Sequence, residues 1–262
     1  MKYLSQSTIG LALLACGLTT SAAGMQHHNN HHWNYGFQGA IGQLATDNQS
    51  IFESSATPED FYSDYEQEGN RSSTQKTLGM LGAHIGYESK HGSCAWGLTF
   101  QANASAGYTE GEQLNDEATS NVVIQQRVKP KYQLNLLADW KHFITADTYF
   151  RVGAGISYLN AQDRLHIWST DITTPDTHNI TQKNTFHSLG AVVSAGVGYT
   201  LSPRSSIDVG INYAFYGNKG LESSQQLDIL SEDDELYKPQ YLRHRKTQIS
   251  MMTLSVGYSH QF

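Results

Sequence analysis

The stretch Thr247–Phe262 reads TQISMMTLSVGYSHQF. From Met252 onward it alternates: Met252, Leu254, Val256, Tyr258, His260 and Phe262 fall on one face, and Thr253, Ser255, Gly257, Ser259 and Gln261 on the other. Successive side chains of a strand point to opposite sides, so this is a β-strand with one apolar and one small polar face. One such strand cannot be stable alone, and the rest of the chain must supply its partners.

The same alternation predicts seven more strands, over Trp33–Leu44, Lys76–Ser89, Cys94–Tyr108, Val123–Phe143, Thr148–Leu159, Phe186–Leu201 and Ser205–Gly217. The connections alternate in length. Long polar segments are expected over 45–75, 109–121, 160–185 and 218–246, and tight turns at Lys90–Ser93, Ile144–Asp147 and Ser202–Arg204. Parts of 160–185, such as Leu165-His166-Ile167-Trp168, are themselves strand-like, so the flanking strands there are open to continuing as a hairpin. Eight strands with alternating short and long connections fit an antiparallel up-and-down barrel.

Alternation does not say which face is outside. A water-soluble barrel would turn its apolar face inward. Here the polar face is built of Gly, Ser, Asn and Gln, which suit a narrow interior better than a solvated exterior. Aromatic residues on the apolar face gather at both ends of the strands. Trp96, Trp140, Phe150, Tyr199 and Tyr258 lie near the short turns; Tyr108, Tyr132, Tyr158, Tyr213 and Phe215 lie near the long connections. Rings with a polar edge collect at the lipid–water boundary, so these are expected to form two girdles. The fold class expected is all-β: an eight-stranded antiparallel up-and-down transmembrane barrel with four long extracellular loops and three short periplasmic turns. A mean hydropathy of −0.46 does not oppose this, because only every second strand residue meets lipid.

With the terminal aromatic Phe262 after its alternating strand, residues 33–262 resemble the small eight-stranded outer-membrane barrels of the OmpA transmembrane domain, OmpX and opacity-protein type. The resemblance is architectural, and no residue motif ties the chain to one subfamily. It implies insertion in the outer membrane, contact with the lipid bilayer and lipopolysaccharide, and Phe262 as the signal read by the outer-membrane assembly machinery.

Residues 1–23 read as a cleaved signal peptide, with Lys2 at its start, an apolar segment Ile9–Leu18 and the small residues Ser21-Ala22-Ala23. The competing reading makes Leu13-Leu14-Ala15-Cys16 a lipoprotein box. Residues 24–32, with His27, His28, His31 and His32, are expected to be a His-rich periplasmic leader without a metal site, since an unstructured tract fixes no coordination geometry. Cleavage would leave Cys94 alone, which excludes a disulfide-stapled module. The net charge of −7 argues against nucleic acid as a partner.

An eight-stranded bore is just filled by side chains. The polar network expected inside comprises His84, Lys131, Asp139, Lys141, Arg151, Asp208 and Asn212, with Asp139 paired to Arg151 across a short turn and Lys141 beside them. No catalytic, cofactor-binding or metal site emerges. His187-Ser188 and Ser259-His260 are sequence neighbours, and neighbours on a strand point to opposite faces, so neither makes a base and its nucleophile. Gly153-x-Gly155 and Gly196-x-Gly198 lie within strands and make room rather than cradle a nucleotide. Arg243–Lys246 near the outer rim is placed to meet lipopolysaccharide phosphates or to be a solvated loop base. The long loops are acidic, as at Glu232–Glu235, and carry Phe52, Phe61, Tyr62 and Tyr65. Function is therefore expected in the loops, as a surface protein with a structural or recognition role towards an extracellular ligand. The alternative is a narrow porin-like channel; a lipid A-modifying enzyme is less favoured.

Overall fold

A computed structural model describes residues 30–54, 71–117, 120–171, 177–221, 225–227 and 240–262. The expected signal 1–23, Cys16, His27, His28, Phe61, Tyr62, Tyr65 and Glu232–Glu235 lie outside the described residues.

Among the described residues every regular element is a strand: β1 (Asn30–Ser54), β2 (Arg71–His91), β3 (Cys94–Ala106), β4 (Thr109–Glu117), β5 (Ser120–Phe143), β6 (Thr148–Asp171), β7 (Thr177–Ser202), β8 (Ser205–Leu221), β9 (Gln225–Leu227) and β10 (Gln240–Gln261). They form one antiparallel sheet that closes on itself through β1 and β10, with Asn34 opposite Gln261 and Ala45 opposite Ser250. β4 continues the stave begun by β3, since both pair with β5, and β9 pairs with β10. The result is a barrel of eight staves, which leaves no unpaired edge around its wall.

The tight turns fall where the sequence places them, at Gly92, at 144–147 and at Pro203-Arg204. Gly92 has φ +60°, a conformation that glycine adopts without a Cβ penalty. The long connections differ from expectation. β1 runs on to Ser54, β2 begins at Arg71, 109–121 is the β4–β5 hairpin, and β6 and β7 extend to Asp171 and Thr177. The backbones of Phe52 and of Arg243–Lys246 belong to β1 and β10. At the other end β1 starts at Asn30, so His31 and His32 pair with Ser89 and Glu88 instead of lying in a leader.

The reason is a change of surroundings along each strand. Within β1 the outward residues Trp33, Tyr35, Phe37 and Ile41 are apolar and exposed, and the inward Asn34 and Gln38 are polar and buried. Beyond Gly42 the pattern inverts: Leu44 is buried inside, and Asp47 is exposed. β2 does the same, from exposed Leu81 and Ile85 to buried Leu78 and Met80, and β10 from exposed Met252 to buried Ile249 and Met251. A strand that leaves lipid for water must exchange faces to keep apolar groups dry. A search for one constant apolar face therefore ends each strand at that level.

Three irregularities adjust the wall. Pro130 lacks a backbone N–H, and at Pro130/Tyr132 the β5–β6 register shifts by one, leaving Lys131 as the bulged residue. At Ile249/Ser250 the β8–β10 register shifts, and Tyr216 is the extra residue beside Gly217, whose φ is +70°. Gly107, φ +115°, separates β3 from β4.

Candidate functional site

The lumen is layered. At the turn end it holds charge. Lys141 and Arg151 face each other across β5 and β6. Two like charges so placed repel, and each turns to a carboxylate on another strand. Lys141 Nζ meets Glu88 of β2, and Arg151 Nη2 lies 3.2 Å from Asp208 Oδ1 of β8. Arg151 reaches Asp208 across β7, where Gly196 and Gly198 present no side chains. A Cβ on Gly198 would strike the ring of Tyr149, and one on Gly153 would strike Asp139, so these glycines do make room in the bore. His32 Nε2 approaches Glu88 Oε1 at 3.6 Å, and His84 Nε2 contacts Ser259 Oγ at 2.9 Å.

The expected Asp139–Arg151 contact is absent among the described residues. Asp139 stands opposite Gly153, one pleat away from Arg151, and Arg151 is directed to Asp208 instead. Asp139 is 4% exposed. Lys131 is a second correction: the Pro130 bulge takes it out of the inward series, and it is exposed. His84, Asp139, Lys141, Arg151, Asp208 and Asn212 do lie on inward positions. Sequence reasoning left Glu88 out of the network, although it shares the face of His84 four residues on.

The next layer is uncharged and hydrogen-bonded across the bore. Gln38 Nε2 donates to Asn103 Oδ1 at 2.5 Å, Asn103 Nδ2 to Gln133 Oε1 at 3.4 Å, and Gln133 Nε2 to the Tyr216 hydroxyl at 2.8 Å. The Tyr216 hydroxyl also lies 2.8 Å from Ser157 Oγ. This series links β1, β3, β5, β6 and β8. The bulge in β8 sets Tyr216 at its centre.

Towards the loop end the lumen becomes mainly apolar, with Thr46, Ser188, Thr247 and the hydrogen-bonded Gln126 and Asp163 buried alongside. Leu44, Leu78, Met80, Val128, Leu159, Phe186, Ile249 and Met251 are buried together in one cluster, with Leu137 and Val192 joining from below. Close-packed aliphatic and aromatic side chains leave little room for water.

The outer wall is the reverse. Leu81 is 75% exposed and Trp96 62% exposed, with Leu98, Ile156, Val197, Ile211 and Leu254 exposed between the two ends. At the turn end Trp96 lies 6.2 Å from Trp140, which meets Phe150 edge-on at 5.1 Å; Tyr199 and Tyr258 are exposed at the same end. At the loop end Tyr132 and Tyr158 lie 6.2 Å apart, and Tyr108, Tyr213 and Phe215 are exposed. Tyr132 to Trp140 is about 26 Å of strand, or roughly 20 Å of height at the usual tilt, close to the apolar band of membrane barrels. Phe262 is exposed and tilted against Tyr35 at 5.7 Å, and its N–H donates to the Trp33 carbonyl.

His187 and Ser188 point apart, as strand neighbours must: Ser188 is buried and donates to the Tyr216 carbonyl, whereas His187 is exposed, with Nδ1 2.6 Å from the Tyr158 hydroxyl. His260 meets Ser205, and its neighbour Ser259 meets His84. No group of three or more His, Cys, Asp or Glu side chains able to hold a metal occurs among the described residues.

Grease outside, charge and amide inside, and an aromatic ring at each end define an eight-stranded transmembrane β-barrel of the outer-membrane type. No family model matches the sequence, and no curated protein sequence does. Solved barrels are similar in outline: OprG of Pseudomonas aeruginosa (12% identity, 91% of this chain and 99% of that one, TM-score 0.40), neisserial surface protein A (13%, 85% and 99%, 0.31) and the attachment invasion locus protein Ail of Yersinia pestis (12%, 84% and 98%, 0.29). Likenesses this distant decide nothing about the chain, whose class rests on its own geometry.

Proposed function

We propose that the protein is an outer-membrane surface protein whose barrel is a closed scaffold and whose hairpins, projecting beyond the loop-end ring, carry a structural or recognition role. The observation behind this is the apolar layer, centred on Leu44, Leu78, Phe186 and Met251, which fills the lumen above the polar network. A conduit for ions or small solutes needs a wetted path, and a level packed with these side chains speaks against one. With the short turns periplasmic, as is usual in such barrels, the hairpins face the exterior. Export by a cleaved signal, recognition of Phe262 by the assembly machinery, contact with lipopolysaccharide and an extracellular ligand for the hairpins belong to this proposal. No enzymatic or cofactor chemistry is assigned.

Planar-bilayer recording tests it. The wild-type barrel is expected to give no stable conductance steps, and exchanging each hairpin for a short turn is expected to remove surface binding or envelope integrity while the barrel still inserts. Stable conductance from the wild type would favour the narrow-channel reading, for which the charged turn-end layer is the supporting observation.

A further inference from the structure

Outside the barrel, just beyond the loop-end ring, stands a group of cations that neither the lumen nor the wall requires. Lys131 is the bulged residue beside Tyr132, and Lys129 precedes it by two positions in β5, nearer the loop end; both are exposed. Further out, Arg127 of β5, Arg164 of β6 and Lys183 of β7 stand opposite one another in register. Their neighbours Gln126, Val128 and Asp163 are buried, so the three basic side chains face outward together. Arg127 is engaged: it donates from Nε and Nη2 to Glu110 Oε1 at 3.0 and 2.8 Å and lies over the Tyr108 ring. Lys129, Lys131, Arg164 and Lys183 are in no ion pair among the described residues.

Like charges on adjacent strands destabilise a sheet unless an anion sits among them. These do not stand in open solvent alone. They rise directly from the belt, with Tyr132 and Tyr158 at their base and exposed Leu136, Ile156 and Leu189 beneath. From Tyr158 to Arg164 is about 20 Å of strand, so the collar spans roughly 15 Å of height above the ring. A single plane of phospholipid phosphates would meet only its lowest members. Cations at several depths fit a headgroup that carries phosphates at several depths.

We propose that Lys129, Lys131, Arg164 and Lys183 form a binding surface for the phosphates of a membrane glycolipid whose acyl chains lie against the β5–β7 face of the belt. This inference rests on the membrane-spanning reading of that belt. Each basic side chain beside an anionic membrane surface strengthens binding by roughly fivefold, so four together contribute two to three orders of magnitude.

The test uses the full chain refolded in zwitterionic detergent, with bis-phosphorylated lipid A and its dephosphorylated form as probes, read by native mass spectrometry. The wild type is expected to retain the phosphorylated form preferentially. Arg164→Gln with Lys183→Gln, or Lys129→Gln with Lys131→Gln, should each weaken retention by roughly 25-fold. The quadruple variant should lose the preference, and Lys90→Gln at the turn end should not affect it. Equal retention of both lipids by the wild type, an unaltered quadruple variant, or full displacement by millimolar inorganic phosphate would overturn the assignment. Quenching of Trp96 and Trp140 by brominated lipid separates the two levels of inference. Quenching without phosphate preference removes only the collar, whereas absence of quenching removes the membrane reading with it.

Discussion

Replacing Arg151 by Met probes the charged layer most directly. The side chains of Arg151 and Asp208 are 12% and 11% exposed, so the pair belongs with buried ion pairs rather than surface ones. Removing one partner of a buried pair costs about 3–5 kcal/mol, because the other charge is left in a poor dielectric. The contact is 3.2 Å long and the guanidinium Nε is left without a hydrogen-bond partner among the described residues, which argues for the lower end, about 3 kcal/mol. Asp139 adds to the cost: it is buried one pleat away and would lose its neighbouring cation, leaving Lys141 to balance Glu88, Asp139 and Asp208. Met retains most of the aliphatic stem, so little of the loss should come from packing. Adding Asp208→Asn removes the stranded carboxylate and should recover about 1–2 kcal/mol, a coupling within the range for residues in direct contact. The assay is urea unfolding of the barrel in lipid vesicles, followed by tryptophan fluorescence, for the wild type, both single variants and the double. A loss below about 1 kcal/mol for Arg151→Met would refute the reasoning, since that is the value of a solvated pair. It would mean that water penetrates the turn-end layer.

The other predictions concern packing and solvent. Phe186→Ala, in the apolar layer, should cost about 3–5 kcal/mol while leaving membrane insertion intact, as measured by urea titration and by the shift between heated and unheated gel mobility. Gly198→Ala should destabilise the barrel by about 1–3 kcal/mol through overpacking against Tyr149, and Tyr149→Ala in the same chain should relieve much of it; no relief would show that the ring does not lie over Gly198. Brominated lipid should quench Trp96 and Trp140 strongly and aqueous acrylamide weakly; the reverse order would place the belt in water.

What could be read from the sequence was whatever obeyed one rule along one strand. The apolar face from Met252 to Tyr258, and its counterparts on the other staves, is visible because lipid wets the same face throughout. The rule ends the strands near Leu44, Leu78 and Ile249, because the inward apolar side chains there follow the opposite rule, set by water outside the barrel. Lys131 was misplaced because the consequence of Pro130, a shift of one residue in pairing, depends on the neighbouring strand. The Arg151–Asp208 pair was missed for a related reason. Its partners are separated by a third strand, and only the bareness of Gly196 and Gly198 lets the guanidinium pass. Tyr216 entered the lumen by another bulge, marked in the sequence by nothing more than the glycine that follows it.

The seam between β1 and β10 has a consequence for how the molecule is made. Across that seam Asn34 pairs with Gln261, and β2 and β8 each lean on a strand held in place by it. Contacts so remote along the chain make folding slow. A nascent polypeptide holding only the earlier staves would present two raw margins, so the cylinder must be completed late and as a whole, with its adhesive borders shielded until the last segment arrives.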